Sequence, residues 1–494
     1  MLPALLDILR PSILIPWLLG MLFGIFVGAT PGLTATMAVA LIVPISFQLE
    51  PTAGLALIIG VSFTAIFAGD IPATYLRIPG TPASAAAVLD GHELARQGRS
   101  GLALMLDLLC SALGGLIGVG LLILVARPLA NFSLLFSDFE FFWLAVLGLS
   151  LSATVSKGNT YQGLLSAGLG LLLATIGRDE IGNAARYTFG ILDLFEGLNF
   201  IPVMIGLFGL AEVIRSLGST QPLSGHVAGA GNLELWESLR VMWRHKWLII
   251  QSSLLGTFIG ALPGAGADIA AWGAYGLAQT TSRHPDRFGQ GSLEGVVAPT
   301  SANNAAVAGA WIPALAFNVP GDAVTAIVLS ALMMYDIVPG PQLFSQVETI
   351  YPVFMVAIVT QFLLIPTGLI GIQTFRWLLR LPRRAVLVGV VLFSIVGSYA
   401  IRNSVFDIYV MLIFGLVGVF LESQRVPLAP LILGLILGPL LERTLRAGLI
   451  GSNGDWTPLF TRPLCLLMIS MLLLSLVVLP LLRNRKATKG HTLA

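Results

Sequence analysis

The chemistry-bearing residues of this 494-residue chain sit in short Gly/Pro clusters inside apolar stretches, beside hydroxyls, amides and a few acids. One cluster runs Gly28-Ala-Thr-Pro31-Gly32-Leu33-Thr34-Ala35, and a later one runs Gly260-Ala-Leu-Pro263-Gly264-Ala-Gly266-Ala267. A second pair is Ile78-Pro79-Gly80-Thr81 and Val319-Pro320-Gly321-Asp322. A Pro-Gly break ends one helix and lets another begin, and the new start exposes backbone N–H groups with about half a positive charge. Helix N-termini of this kind suit carboxylate or phosphate. Carbonyls and hydroxyls of unwound segments suit Na⁺. The candidate substrate or ion contacts are therefore Gly32, Leu33, Thr34, Thr36, Pro79, Gly80 and Thr81 early in the chain. Later in the chain they are Gly264, Asp268, Ser301, Pro320, Gly321 and Asp322. Asn303 and Asn304, between two apolar runs, read either as a helix cap or interhelical hydrogen bond or as a contact for a carboxylate or cation. Asp268 and Asp322 could equally cap the helices that follow them.

Two further charged positions need a reading. Arg77 precedes Pro79-Gly80 and is a candidate anion contact, because its fork can hold a carboxylate bidentately. The preferred reading is structural, a pair with Asp70 or Asp90, since buried charges are usually paired. The run from Asp90-Gly91-His92-Glu93 to Arg99 reads as a solvated loop.

The clusters recur in order. Pro31 and Pro263 lie 232 positions apart, whereas Pro72 and Pro313, and Pro79 and Pro320, lie 241 apart. One insertion between the motifs of the later copy accounts for the difference. The reading is two homologous halves, 1–215 and 247–494, joined by a polar connection at 216–246. Broken segments at corresponding places in two halves point to the binding site of a secondary transporter. The repeat is expected to be inverted, which requires an odd number of intervening crossings.

The elements that must position these residues follow from composition. Hydrophobic residues make up 56% and charged residues 11% of the chain, with a mean hydropathy of +0.89. So few charges cannot wet the surface of a soluble domain of this size. The apolar runs are continuous and do not alternate, which argues against a transmembrane β-barrel. The expected fold is an all-α polytopic membrane protein with Gly/Pro-broken half-helices or re-entrant hairpins and roughly 10–12 full spans.

Several functions are excluded by what the sequence lacks. All five histidines lie in polar or charged stretches. HExxH, GxSxG and Walker A patterns are absent, as is any Cys/His ligand spacing. Neither an enzyme nor a bound metal or other cofactor is expected. The two cysteines, Cys110 and Cys465, read as packed thiols. A net charge of +2 does not suggest a nucleic-acid partner. Basic residues at Arg376, Arg380, Arg383 and Arg384, and at Arg483, Arg485, Lys486 and Lys489 in the tail, place the C-terminus in the cytoplasm by the positive-inside rule.

These motifs carry a family resemblance. Besides Gly28–Ala38, they include Ile78-Pro-Gly-Thr-Pro-Ala-Ser-Ala-Ala through Leu89-Asp90-Gly91, and Gly98–Leu104. Phe288-Gly-Gln-Gly-Ser-Leu-Glu-Gly295, Ala298-Pro-Thr-Ser-Ala-Asn-Asn-Ala305, Val319–Ala326 and Pro339-Gly-Pro341 continue the set. The chain resembles the large membrane subunit of the tripartite tricarboxylate transporters, the TctA family, from about residue 15 to residue 480. The resemblance implies a multi-pass permease of the bacterial inner membrane. It implies a small TctB-like membrane subunit and a TctC-like periplasmic solute-binding protein as partners. It also implies uptake of small carboxylates driven by a Na⁺ or H⁺ gradient. Two departures stand out: Thr300 replaces the family's usual acid, and Arg77 replaces its usual Asn. The expected mechanism is an elevator or rocking motion of the two broken repeats; the alternative is a stand-alone channel or exporter of the same fold.

Overall fold

The computed structural model describes residues 7–30, 33–155, 160–179, 181–218, 233–264, 266–378 and 383–474. Among the described residues the protein is all-α apart from one two-residue antiparallel ladder, Gly177–Arg178 with Ala185–Arg186. Six described helices are long and apolar enough to cross a bilayer, and five shorter apolar helices accompany them. The molecule is a multi-pass membrane protein.

The chain opens with α1 (Pro11–Gly28), α2 (Ala35–Ser46) and α3 (Pro51–Ala68). It continues through α4 (Asp70–Leu76), a 3₁₀ turn at Pro82–Ala85, α5 (Val88–Arg96) and the long α6 (Ser100–Ser133). Then come α7 (Asp138–Val155), α8 (Thr160–Ala174), α9 (Phe200–Met204), a π-helical segment at Ile205–Leu210, and α10 (Ala211–Gly218). The later part has α11 (Leu235–Arg244), α12 (Lys246–Gly260), α13 (Gly266–Thr281), α14 (Leu293–Phe317), α15 (Ala323–Met334) and α16 (Val347–Leu378). It closes with α17 (Arg383–Arg402), α18 (Val405–Ser423), α19 (Leu428–Gly451) and α20 (Thr457–Thr461).

Local chemistry sets the ends around the breaks. Pro at the first turn starts α1 and α3, where its missing N–H costs nothing. Thr34 caps α2 by accepting from the Met37 amide at 3.2 Å. Ser292 caps α14. Asp322 and Thr325 form a capping box at the start of α15, with the Thr325 amide 2.8 Å from the Asp322 carboxylate.

Two helices form the centre. Every residue of α3 from Ala53 to Ala68 is buried, and so is every residue of α14 from Gly295 to Phe317. A helix buried all round is a core helix. Each is reached through a glycine ladder. On α1, Gly24 lies against the backbone of Val61 and Gly28 against that of Ala65. On α12, Gly256 lies against Ala302 and Gly260 against Ala306. Small residues let backbones approach closely, which is how helices associate where lipid tails already compete with apolar side chains. The long helices cross over: α6 packs on α14, and α16 packs on α3. The tips cross too, since α2 packs on α15 and α13 packs on the Pro82–Ala85 turn.

One sequence expectation is corrected. The stretch from Asp90 to Arg99 is not a solvated loop; α5 covers most of it, and Asp90 is fully buried. The Asp90 carboxylate accepts from the amides of Gly289, Gly291 and Ser292 at 2.7–2.9 Å and from the Tyr275 hydroxyl at 2.9 Å. It ties the glycine-rich turn before α14 to α5, and charge-assisted bonds of this kind account for its burial. The polar connection at 216–246 contains α11, with Trp236 largely exposed, while residues 219–232 lie outside the described residues.

Candidate functional site

The breaks converge on one cavity of about 210 Å³. Its lining includes Thr34, Ala35, Thr36, Thr81 and Pro82 from early in the chain, and Gly264, Gly266, Ala267, Asp268, Asp322 and Ala323 from later. Ser152 of α7, Phe208 of the π segment and Leu433 of α19 complete one wall. Six of the candidate residues thus meet: Thr34, Thr36, Thr81, Gly264, Asp268 and Asp322.

The crossing of the two breaks has the same form early and late in the chain. A Cβ on Gly80 would strike the Gly28 carbonyl oxygen and the Gly69 Cα. A Cβ on Gly321 would strike the Gly260 carbonyl oxygen and the Ala310 Cα. These partners are 232 and 241 positions apart, like the motifs themselves. The crossings are pinned by backbone bonds, from the Gly80 amide to the Gly69 carbonyl at 2.9 Å and from the Gly264 amide to the Gly321 carbonyl at 2.6 Å. Irregular backbone in a membrane protein is tolerated where it is buried or lines a cavity, and these segments do both.

The helix starts α2, α13 and α15 and the 3₁₀ start at Pro82 all reach this cavity, through Thr34, Gly266, Asp322 and Thr81 in its lining. Their first-turn amides offer an anion partial positive charge without a buried cation. Hydroxyls of Thr34, Thr36 and Thr81 supply neutral donors. A cavity this small admits small ligands, well under the ~300 Å³ lower bound of drug-sized sites.

Other candidates lie elsewhere. Pro31 and Gly32 are outside the described residues, and Leu33 is buried beside the cavity-lining Thr34. Pro79 is exposed, whereas Gly80, Pro320 and Gly321 are buried at the crossings. Ser301, Asn303 and Asn304 are fully buried on α14 and do not line the cavity. The Ser301 hydroxyl bonds its own helix at Val297. Thr300, which replaces the family's acid, likewise bonds Val296, at 2.8 Å. Both amide atoms of Asn304 are buried with no hydrogen-bond partner.

Arg77 is exposed, makes no ion pair among the described residues, and is not part of the cavity lining. The expected pairing with Asp70 or Asp90 is therefore not formed. Its backbone explains the position instead. Arg77 ends α4 in the left-handed conformation, with φ 59°, and Asn318, its partner 241 positions later, ends α14 with φ 58°. Asn tolerates that conformation and Arg does not favour it. An Asn before the Pro-Gly is thus a helix terminator, with no ligand role required.

Sequence reasoning missed Asp107 on α6, because a lone acid in an apolar run gives no hint of its neighbours. Asp107 and Asp70 are both buried and face each other. Asp70 also meets Ser84 and the Asn303 amide, the latter at 3.4 Å.

This geometry defines a class: a multi-pass membrane protein whose broken helices from two parts of the chain meet at a small cavity where hydroxyls and acids stand among apolar side chains. The chain belongs to the tripartite tricarboxylate transporter TctA family, which matches residues 14–433. It is 34% identical over 482 residues, 97% of this chain and 95% of the relative, to an "uncharacterized 52.8 kDa protein in TAR-I ttuC' 3'region" of Agrobacterium vitis. It is also 35% identical over 234 residues, 47% of this chain and 97% of the relative, to an "uncharacterized protein in TAR-II ttuC' 3'region" of the same organism. No solved structure matches the chain.

Proposed function

We propose that this protein is the permease subunit of a binding-protein-dependent secondary transporter, importing a small di- or tricarboxylate with a cation. The observation that carries the proposal is the shared cavity, at which paired breaks present helix starts from both halves. A substrate carboxylate would accept from the first-turn amides and from Thr34, Thr36 and Thr81. Asp268 and Asp322 in the same lining would repel a bare anion, so uptake with a cation fits it.

The matched crossings and the swapped packing of α6 on α14 and α16 on α3 support two homologous, inverted halves, 1–215 and 247–494. On this reading the mobile unit is built from the tips around the cavity, and an elevator-type motion carries it past the remaining helices. The protein would sit in the bacterial inner membrane with its C-terminus in the cytoplasm. It would work with a small TctB-like membrane subunit and a TctC-like periplasmic binding protein.

The test is uptake by cells expressing the full system, across a panel of di- and tricarboxylates, with and without Na⁺ and with and without the binding protein. Saturable, cation-dependent uptake that needs the binding protein is expected. Uncoupled conduction that ignores both would sink the proposal. Asn304→Ala should lower uptake more than folded yield, since its amide has no protein partner to lose.

A further inference from the structure

Away from the cavity lining, Asp70 at the start of α4 and Asp107 on α6 are each 1% exposed. Their carboxyl groups lie close enough to act on each other directly. Two ionised carboxylates are acceptors only, so they cannot bond each other unless something positive lies between them. No Lys, Arg or His forms an ion pair with either among the described residues. The other titratable group beside the pair is Cys110, one turn along α6 from Asp107. His92 of α5 is held at the Thr74 carbonyl, one turn along α4 from Asp70.

A second observation points to what fills the gap. Asn303 of α14 is fully buried, and its amide nitrogen reaches Asp70 at 3.4 Å while its oxygen has no partner. Four buried oxygens therefore lack a donor in one place: Asp70 Oδ1, both Asp107 oxygens and Asn303 Oδ1. An oxygen-rich, donor-poor cluster of net negative charge is the coordination chemistry of a small hard cation. The cluster is also wired to the cavity. Ser84 contacts Asp70 and shares a 2.9 Å hydrogen bond with Thr81, which lines the cavity.

We propose that Asp70, Asp107 and Asn303 form the coupling-ion site, holding one monovalent cation, Na⁺ or a proton, between the two carboxylates. The role as coupling ion rests on the transport reading above; the existence of the site does not. Loading would remove the repulsion between the pair, and the Ser84–Thr81 hydroxyls would report that change to the substrate cavity.

The test is thermal unfolding of the purified full chain in detergent at constant ionic strength. One arm replaces choline chloride with NaCl at fixed pH, and the other lowers pH in choline alone. Anything bound by the folded state and not by the unfolded chain raises Tm with its concentration. The expected result is a Tm that climbs in the NaCl arm if the ion is Na⁺, or in the pH arm if it is a proton. That climb should shrink or vanish in both Asp70→Asn and Asp107→Asn. Ser84→Ala, which leaves both carboxylates in place, should keep the Tm response and weaken cation-dependent uptake. A wild-type Tm insensitive in both arms, or a response undiminished in both Asn variants, would overturn the site. If the Asn variants fail to fold, direct Na⁺ binding or proton release measured on the wild-type chain decides the matter, and absence of both overturns it. Failure of uptake alone, with the Tm response intact, would count against the transport reading and leave the site standing.

Discussion

Thr34, Thr36 and Thr81 line the cavity from early in the chain; at the positions 232 or 241 later stand Gly266, Asp268 and Asp322, which line it too. The backbones around them are alike. Early and late in the chain the breaks cross at a glycine, Gly80 and Gly321, that no larger residue could replace, and in both places the helix before the second break ends in a left-handed turn. The side chains differ in charge. Neutral hydroxyls line the earlier half and two acids line the later one, so one backbone device carries two electrostatic roles. The buried Asp70–Asp107–Asn303 cluster is also lopsided, because Ser62, and no amide, occupies the position equivalent to Asn303. On the proposed reading, similar backbone crossings fix the shape and the side chains on them divide the work between anion and cation.

The largest expected effect tests whether the shared shape is obligatory. Gly264 has φ +82°, and a Cβ there would enter the backbone of Ser152 on α7. Gly264→Ala should cost about 3 kcal/mol or more, the combined weight of left-handed strain and overpacking. The measurement is folded yield and Tm; a variant as stable as wild type would show that the crossing is not rigid.

An intermediate effect tests the division of charge. Thr36→Asp copies the later half's acid, Asp268, into the earlier one and should cut carboxylate uptake about tenfold, near 1.4 kcal/mol, at unchanged yield. Uptake equal to wild type would break the comparison, because the threonine side would then have no part in anion binding.

The smallest effect concerns Arg77, where the two halves share a conformation and differ in residue. Arg77→Asn should raise stability by about 0.5–1 kcal/mol, as Asn accepts the left-handed turn more readily. Asn318→Arg should lower it by a similar amount. Thermal unfolding of both variants checks the pair, and an Arg77→Asn variant with reduced yield would restore the pairing explanation.

The cavity was legible in outline because its makers are backbone breakers. Pro and Gly announce themselves in any context, and the hydroxyls and acids beside them came with the motifs. Asp90 was misread for the opposite reason. A polar run of Asp, His, Glu and Arg looks solvated, and only the amides of Gly289, Gly291 and Ser292, some two hundred positions away, make burial of that carboxylate tolerable. Arg77 was misread because sequence displays its charge and conceals its φ.

By itself the sequence determined that the chain is helical and membrane-embedded, and where its helices break. Those outcomes rest on local physics: apolar length against bilayer thickness, the missing N–H of proline and the missing Cβ of glycine. Tertiary structure alone decided that Asp70 meets Asp107 and Asn303, and that Thr34, Thr36 and Thr81 line one cavity with Asp268 and Asp322. Such meetings depend on how α6 lies on α14 and how the tips cross. Helix packing in lipid is set by close contact of small residues spread over the whole chain, a sum that no local motif records.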